Sequence, residues 1–145
     1  MENKPDNMTE LNLKVLIALS RAEQSVHQRE YVTIKQGGLT PSQFAVLELL
    51  YHKGDHKICD IINKILATSG NITVVIKNLE KEGLVKKYND PEDKRAVLIS
   101  ITEKGKEVIK KIFPNHVKNI NNIFSDLTEE EKKTLIAISK KLTKK

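Results

Sequence analysis

Between Gly70 and Lys81 the chain places Gly70, Asn71, Thr73, Val74, Lys77, Asn78 and Lys81 at intervals that share one face when the segment winds as a helix. The groups on that face are small, hydrogen-bonding or basic, and none is acidic; Glu80 and Glu82 lie off it, towards the C-terminal end. The major groove of a duplex makes those demands on a helix: close approach, donors and acceptors for base edges, and lysines for phosphate. A plain solvated face is the competing reading, and the neighbouring segments weigh against it.

The next candidate groups close the run Asn89-Asp90-Pro91-Glu92-Asp93-Lys94-Arg95, whose Asn, Asp and Pro are turn formers. An arginine on a thin projecting loop can enter the narrow minor groove, where negative potential is focused, and Lys94 and Arg95 are placed to do so. Asp93, two residues before Arg95, is expected to hold the guanidinium by a charge-assisted hydrogen bond. Asp90 and Pro91 are read as turn chemistry alone.

Catalysis and metal binding find little support. The four histidines, His27, His52, His56 and His116, are scattered; His52 and His56 come closest, with Gly54 between them, so no metal site is expected. There is no Gly-rich phosphate loop, no nucleophile motif and no carboxylate pair buried by pattern, so no catalytic residue and no cofactor is assigned. Cys59 is the single cysteine, which rules out an intrachain disulfide. It reads as a buried structural thiol; redox sensing through it, the alternative, requires exposure and a lowered pKa.

The elements that must position these residues follow from periodicity. Ile58, Ile61, Ile62 and Ile65 mark one short amphipathic helix, and Ile72, Val75, Ile76 and Leu79 mark the buried face of a second. The break Ala67-Thr68-Ser69 makes the pair a helix-turn-helix. Thr68 or Ser69 supplies the cap, and both are grouped with the contact residues of the second helix. Gly83 stops that helix. Leu84–Tyr88 and Ala96–Ile101 then read as the two strands of a hairpin, and a hairpin after a helix-turn-helix is a winged helix.

At this point successive motifs resemble those of the MarR family, dimeric winged-helix transcription regulators of bacteria and archaea. They are Leu39-Thr40-Pro41-Ser42-Gln43-Phe44-Ala45-Val46-Leu47, Leu79-Glu80-Lys81-Glu82-Gly83-Leu84-Val85, Asp90–Arg95 and Ile101-Thr102-Glu103-Lys104-Gly105. The resemblance implies a homodimer on a near-palindromic operator, and a small aromatic or phenolic effector that releases the DNA. Effector candidates are His27, Tyr31, Phe44, Tyr51 and His52, each of which also suits the core. The run Phe44–Gly54, with Ile112-Phe113-Pro114, is similar to the branch of repressors that respond to hydroquinone-type compounds. One departure is plain: many members carry arginine directly after the recognition-helix threonine, whereas Thr73 is followed by Val74. An apolar contact with a thymine methyl is expected there instead.

The rest of the chain fits around this centre. Its 145 residues, 39% hydrophobic and 30% charged, suit one globular domain that buries roughly two-thirds of its unfolded surface. A net charge of +6 favours an anionic partner. No apolar run approaches the roughly 20 residues of a membrane span, and the N-terminus is no signal peptide, which places the protein in the cytoplasm. A long first helix is expected from Thr9 to about Lys35, capped by Asp6 or Thr9, with Leu11, Val15, Ala18, Leu19, Ala22 and Val26 as its stripe and Gly37-Gly38 as its end. Thr40-Pro41-Ser42-Gln43 starts a second helix, apolar nearly all round and so central to the core. His56-Lys57 is expected as a minimal strand pairing with the wing. Thr102 begins a helix that Pro114 kinks or restarts, and Thr128–Glu131 caps the last one.

The expected fold is therefore mainly α with a small β-hairpin wing, in the order helix, helix, minimal strand, helix, helix, strand, wing, strand, helix, helix. Residues 1–145 form one domain, in which 39–102 bind DNA and 1–36 and 103–145 supply dimerisation helices. Two heads would sit about 34 Å apart, one duplex turn. The rival from another class is a winged-helix module for protein–protein contact, with the basic residues merely solubilising it.

Overall fold

Asp6 starts the first helix, α1 (Asn7–Gln36), by accepting the Thr9 N–H at 2.7 Å. That bond holds the Asp6 carboxyl below the usual carboxylate range. The computed structural model describes residue 4 and residues 6–65 and 69–143, with the side chains of 69 and 70 outside the description.

Helix α2 (Pro41–Lys53) opens with the expected capping box. The Gln43 N–H donates to Thr40 Oγ1 at 3.2 Å, and the Thr40 N–H donates to Gln43 Oε1 at 3.0 Å. Phe44, Val46, Leu47 and Leu50 are buried along it, which puts α2 in the middle of the core. Strand β1 (His56–Lys57) leads into α3 (Ile58–Ile65), and α4 (Ser69–Lys81) follows. Strands β2 (Val85–Asn89) and β3 (Val97–Ile101) form the wing. The antiparallel sheet runs in the order β1-β3-β2, with His56 opposite Ile99 and Tyr88 opposite Leu98. The minimal strand foreseen at His56-Lys57 is present.

Helix α5 (Glu103–Ile123) passes through Pro114 without a restart. The proline removes the donor for the Lys110 carbonyl, but Lys110 and Pro114 both lie on the exposed side, where water can serve that carbonyl. Helix α6 (Glu129–Leu142) has the second capping box: the Glu131 N–H donates to Thr128 Oγ1 at 3.1 Å, and the Thr128 N–H donates to Glu131 Oε1 at 2.9 Å.

The chain divides into two units, residues 31–116 and residues 1–30 with 117–145. The first holds the core: Leu47, Ile61, Ile72, Ile76, Leu79, Ile99 and Ile109 are fully enclosed. Burial of a side chain of this size stabilises by about 1.5–3 kcal/mol, so this cluster dominates the unit's stability. In the second unit, Asn119 Nδ2 donates to the Arg29 carbonyl at 2.8 Å and Ile123 is buried. Leu11, Leu16 and Leu19 of α1 and Leu135, Ile136 and Leu142 of α6 stay exposed. A groove of about 710 Å³ runs between Ile120, Phe124, Leu135 and Ile136 of the same unit.

Candidate nucleic-acid interface

Helix α4 is held from behind. Ile72, Ile76 and Leu79 are fully buried and Val75 nearly so. By helical phase this turns Asn71, Thr73, Val74, Lys77, Asn78 and Lys81 outwards, and all six are exposed. Val74 has more than half of its surface open, which leaves an apolar group available on that face. The only acid in α4, Glu80, lies 3.8 Å from the Lys87 ammonium on β2, which offsets its charge beside the basic face. Thr68 lies outside the described residues; Ser69 is the first residue of α4.

The wing tip is a sequence of small turns. Asp90 Oδ1 accepts the Glu92 N–H at 2.9 Å, Asp93 Oδ1 accepts the Arg95 N–H at 3.1 Å, and the Asp90 N–H donates to the Ala96 carbonyl at 3.0 Å. The charge-assisted hydrogen bond expected from Asp93 to the guanidinium is not formed. Arg95 Nε stands 3.9 Å from Asp93 Oδ1, and the Arg95 side chain is 97% exposed. Asp93 shapes the backbone instead, and Lys94 beside it is exposed too. Behind the tip, the Tyr88 hydroxyl donates to Asp55 Oδ2, tying β2 to the turn after α2. The acceptor carboxylate pushes the Tyr88 phenol above its usual range.

The first turn of α5 meets the end of α4. The Thr102 hydroxyl donates to the Gly83 carbonyl at 2.6 Å and accepts the Gly105 N–H at 3.1 Å. Lys104 Nζ donates to the Glu82 carbonyl at 2.9 Å. The sequence marks Thr102 as a helix start and as part of the motif Ile101–Gly105, but it does not show this junction, since the partners lie about 20 positions away.

The effector candidates fall in both units. His27 lies in residues 1–30, with its Nδ1 2.9 Å from Glu30 Oε1. Tyr31, Phe44, Tyr51 and His52 lie in residues 31–116, where Phe44 is core and His52 is exposed. Tyr51 meets His52 edge-on at 5.1 Å, His52 meets Phe113 at 5.3 Å, and Phe44 meets His116 at 4.7 Å. Phe113 and His116 were absent from the sequence-based set. Their three-residue spacing, which puts them on one face of α5, is the signal that could have added them. His116 is buried, and its Nδ1 has no hydrogen-bond partner among the described residues.

His56, also buried, is satisfied. Its Nδ1 donates to the Gly54 carbonyl at 2.6 Å and its Nε2 accepts from Lys64 Nζ at 2.9 Å, which makes it a structural histidine linking β1 and α3. Cys59 is a correction: it is exposed rather than buried. Ile58, Ile61, Ile62 and Ile65 take the inward phase of α3 and leave Cys59 outside it. Among the described residues no group of His, Cys, Asp and Glu is arranged to hold a metal ion, and no helix is long and apolar enough to cross a membrane.

Comparison with known proteins agrees with this fold. Residues 39–97 match the sequence profile of the MarR family. The HTH-type transcriptional regulator MhqR of Bacillus subtilis is 46% identical over 124 residues, 86% of each chain. BpsR of Bordetella bronchiseptica, whose DNA binding is regulated by 6-hydroxynicotinic acid, superposes with a TM-score of 0.82 at 25% identity, over 96% of this chain and 97% of its own. Sco3205, a MarR family regulator from Streptomyces coelicolor solved in complex with DNA, shares the fold with a TM-score of 0.86 at 21% identity, over 97% and 91% of the two chains.

Proposed function

The chain belongs to the MarR family of DNA-binding transcription regulators, and from that premise we propose that it is a homodimeric repressor, acting in the cytoplasm and released from a near-palindromic operator by a small hydroxylated aromatic compound. The observation that carries this reading is the exposed, acid-poor face of α4 in the same unit as a wing whose Arg95 side chain stands 97% open to solvent. Asn71, Thr73 and Asn78 supply donors and acceptors for base edges, Val74 supplies apolar contact, and Lys77 with Lys94 supplies phosphate contacts. Ser69 opens α4, and that helix start suits a phosphate; Thr68, the other contact expected there, precedes it in the sequence.

Dimerisation explains the exposed apolar residues of α1 and α6. Leu11, Leu16, Leu19, Leu135, Ile136 and Leu142 are more than a monomer ordinarily leaves in water, and a second copy of the same helices is their natural cover. Two recognition helices about 34 Å apart then read a palindrome that one helix is too short to specify. Residues 1–36 and 103–145 are assigned to this role and 39–102 to DNA.

The effector assignment draws on BpsR, which answers to a hydroxylated aromatic acid. Within residues 31–116, Tyr31, Phe44, Tyr51 and His52 offer rings and hydrogen-bonding groups for such a ligand, and His116 Nδ1, which has no hydrogen-bond partner among the described residues, is a further group that a hydroxyl could satisfy; His27, in the other unit, is a separate candidate. A ligand that prefers a head spacing unlike that of the DNA-bound dimer lowers operator affinity by its differential affinity for the two states.

The test is a gel shift of the full chain on a duplex of its own upstream region, across a salt series, with and without 6-hydroxynicotinic acid and a hydroquinone. Specific binding that weakens steeply with salt supports the DNA reading. Equal or absent binding to the upstream duplex and a random one would favour the protein–protein module, and a shift that neither compound changes removes this effector class.

A further inference from the structure

The junction between α4 and α5 holds more contacts than ending a helix requires. A Schellman turn already closes α4: the Leu84 N–H donates to the Leu79 carbonyl at 2.9 Å and the Gly83 N–H donates to the Glu80 carbonyl at 3.0 Å, with Gly83 at φ +76°. The chain leaving the helix is then gripped a second time, at three successive carbonyls. Lys104 Nζ takes Glu82, the Thr102 hydroxyl takes Gly83 and the Thr102 N–H takes Leu84 at 3.0 Å. Gly105 closes the joint, because a Cβ there would lie 2.3 Å from the Leu84 carbonyl oxygen. The Thr102 hydroxyl uses both its donor and an acceptor lone pair, so its direction is fixed.

We propose that the first turn of α5 is the positioning clamp of the recognition helix, with Thr102 and Lys104 as positioning residues that set how α4 meets DNA while touching no base. This rests on the DNA-binding reading above. Base readout tolerates an error of roughly half an ångström and 10–20° before hydrogen bonds fail, so a helix must be held at more than its own terminus. Phosphate attraction tolerates much more, since it depends on charge at a distance. The clamp therefore acts on specific binding and leaves non-specific binding alone.

The full chain carrying Thr102→Val or Lys104→Met is titrated by fluorescence anisotropy against its own upstream duplex and a random duplex of equal length, across a salt series. Each variant is expected to bind the upstream duplex about three- to ten-fold more weakly, the share of one hydrogen bond. Affinity for the random duplex and the salt slope of the upstream duplex stay at wild-type values, and Thr102→Ser and Lys104→Arg restore binding. Thermal melting corrects for any unfolded fraction; Lys104 is exposed, so its variant remains informative if Thr102→Val folds poorly.

Equal upstream affinity in wild type and variants overturns the clamp. So does a loss accounted for by unfolding, or a Lys104→Met slope flattened by about one with random binding weakened alongside, which makes Lys104 a phosphate contact. A wild-type chain that binds neither duplex overturns the DNA reading first, and is told apart from the clamp's failure by that absence.

Discussion

The Asp93 carboxylate accepts the backbone N–H of Arg95 at 3.1 Å, while its oxygen lies 3.9 Å from the Arg95 Nε. The acid grips the main chain and leaves the guanidinium pointing outwards. Two consequences separate a loop former from a charge partner. One concerns the side chain that is presented, the other the acid that presents it.

Arg95→Ala should weaken binding to the upstream duplex by about 1–3 kcal/mol, with thermal stability unchanged because the side chain touches little of the protein. Anisotropy titration beside a melting curve checks both. Unchanged affinity would remove the wing from the mechanism.

Asp93→Asn keeps an oxygen that can accept the Arg95 N–H and removes a negative charge beside the phosphates, so affinity should hold or rise. Asp93→Ala loses the turn and should bind more weakly than Asp93→Asn. If Asp93→Asn falls as far as Arg95→Ala, the carboxylate charge is what holds the guanidinium, and the loop-former account fails.

Lys77 occupies the middle of the exposed face of α4. As a phosphate contact, Lys77→Ala should weaken upstream and random duplexes alike and reduce the salt slope by about one. A change in base preference at constant slope would instead make Lys77 a reader of base edges.

Much of this arrangement was legible because it is local or periodic. Thr40 and Gln43, or Thr128 and Glu131, lie three apart and can form only one kind of reciprocal cap. Ile72, Ile76 and Leu79 fix which side of α4 is buried, and Lys77 and Asn78 follow on the other side. The contacts that sequence reading missed join distant positions or turn on a few tenths of an ångström. Thr102 meets Gly83 only once the wing has folded between them, and no pattern shows that Gly105 is glycine because Leu84 lies against it. Cys59 was misplaced because an apolar-leaning residue in an apolar helix reads as buried, whereas four isoleucines had already filled the inward phase. Asp93 was given a side-chain partner because charge pairs are visible in sequence, while backbone N–H groups without partners are not.

The cap on α2 gives a stability prediction independent of DNA. Thr40→Ala removes the acceptor for the Gln43 N–H and should cost about 1 kcal/mol in urea unfolding, with the transition slope unchanged. A loss under a few tenths would mean that Pro41 and the tertiary packing around Phe44 already fix the helix start.

The apolar surface of α1 and α6 decides whether the second copy is real. Leu16 and Ile136 each leave more than half of their surface exposed in a single chain. Fully covering such a side chain stabilises by about 1.5–3 kcal/mol, and a twofold interface counts each substitution twice. Leu16→Glu or Ile136→Glu should therefore shift the species seen by light scattering from dimer to monomer at micromolar concentration. Lys133→Ala, which alters only an exposed pair 3.1 Å from Glu129 on the same helix, should leave it unchanged. The monomeric variants should keep a folded 31–116 unit, whose core is built from that segment's own residues. They should lose upstream affinity well beyond any loss on random duplex, because paired heads are what a palindrome rewards. A wild-type chain that runs as a monomer, or glutamate variants that remain dimeric, would show that these helices are covered by something other than a second copy.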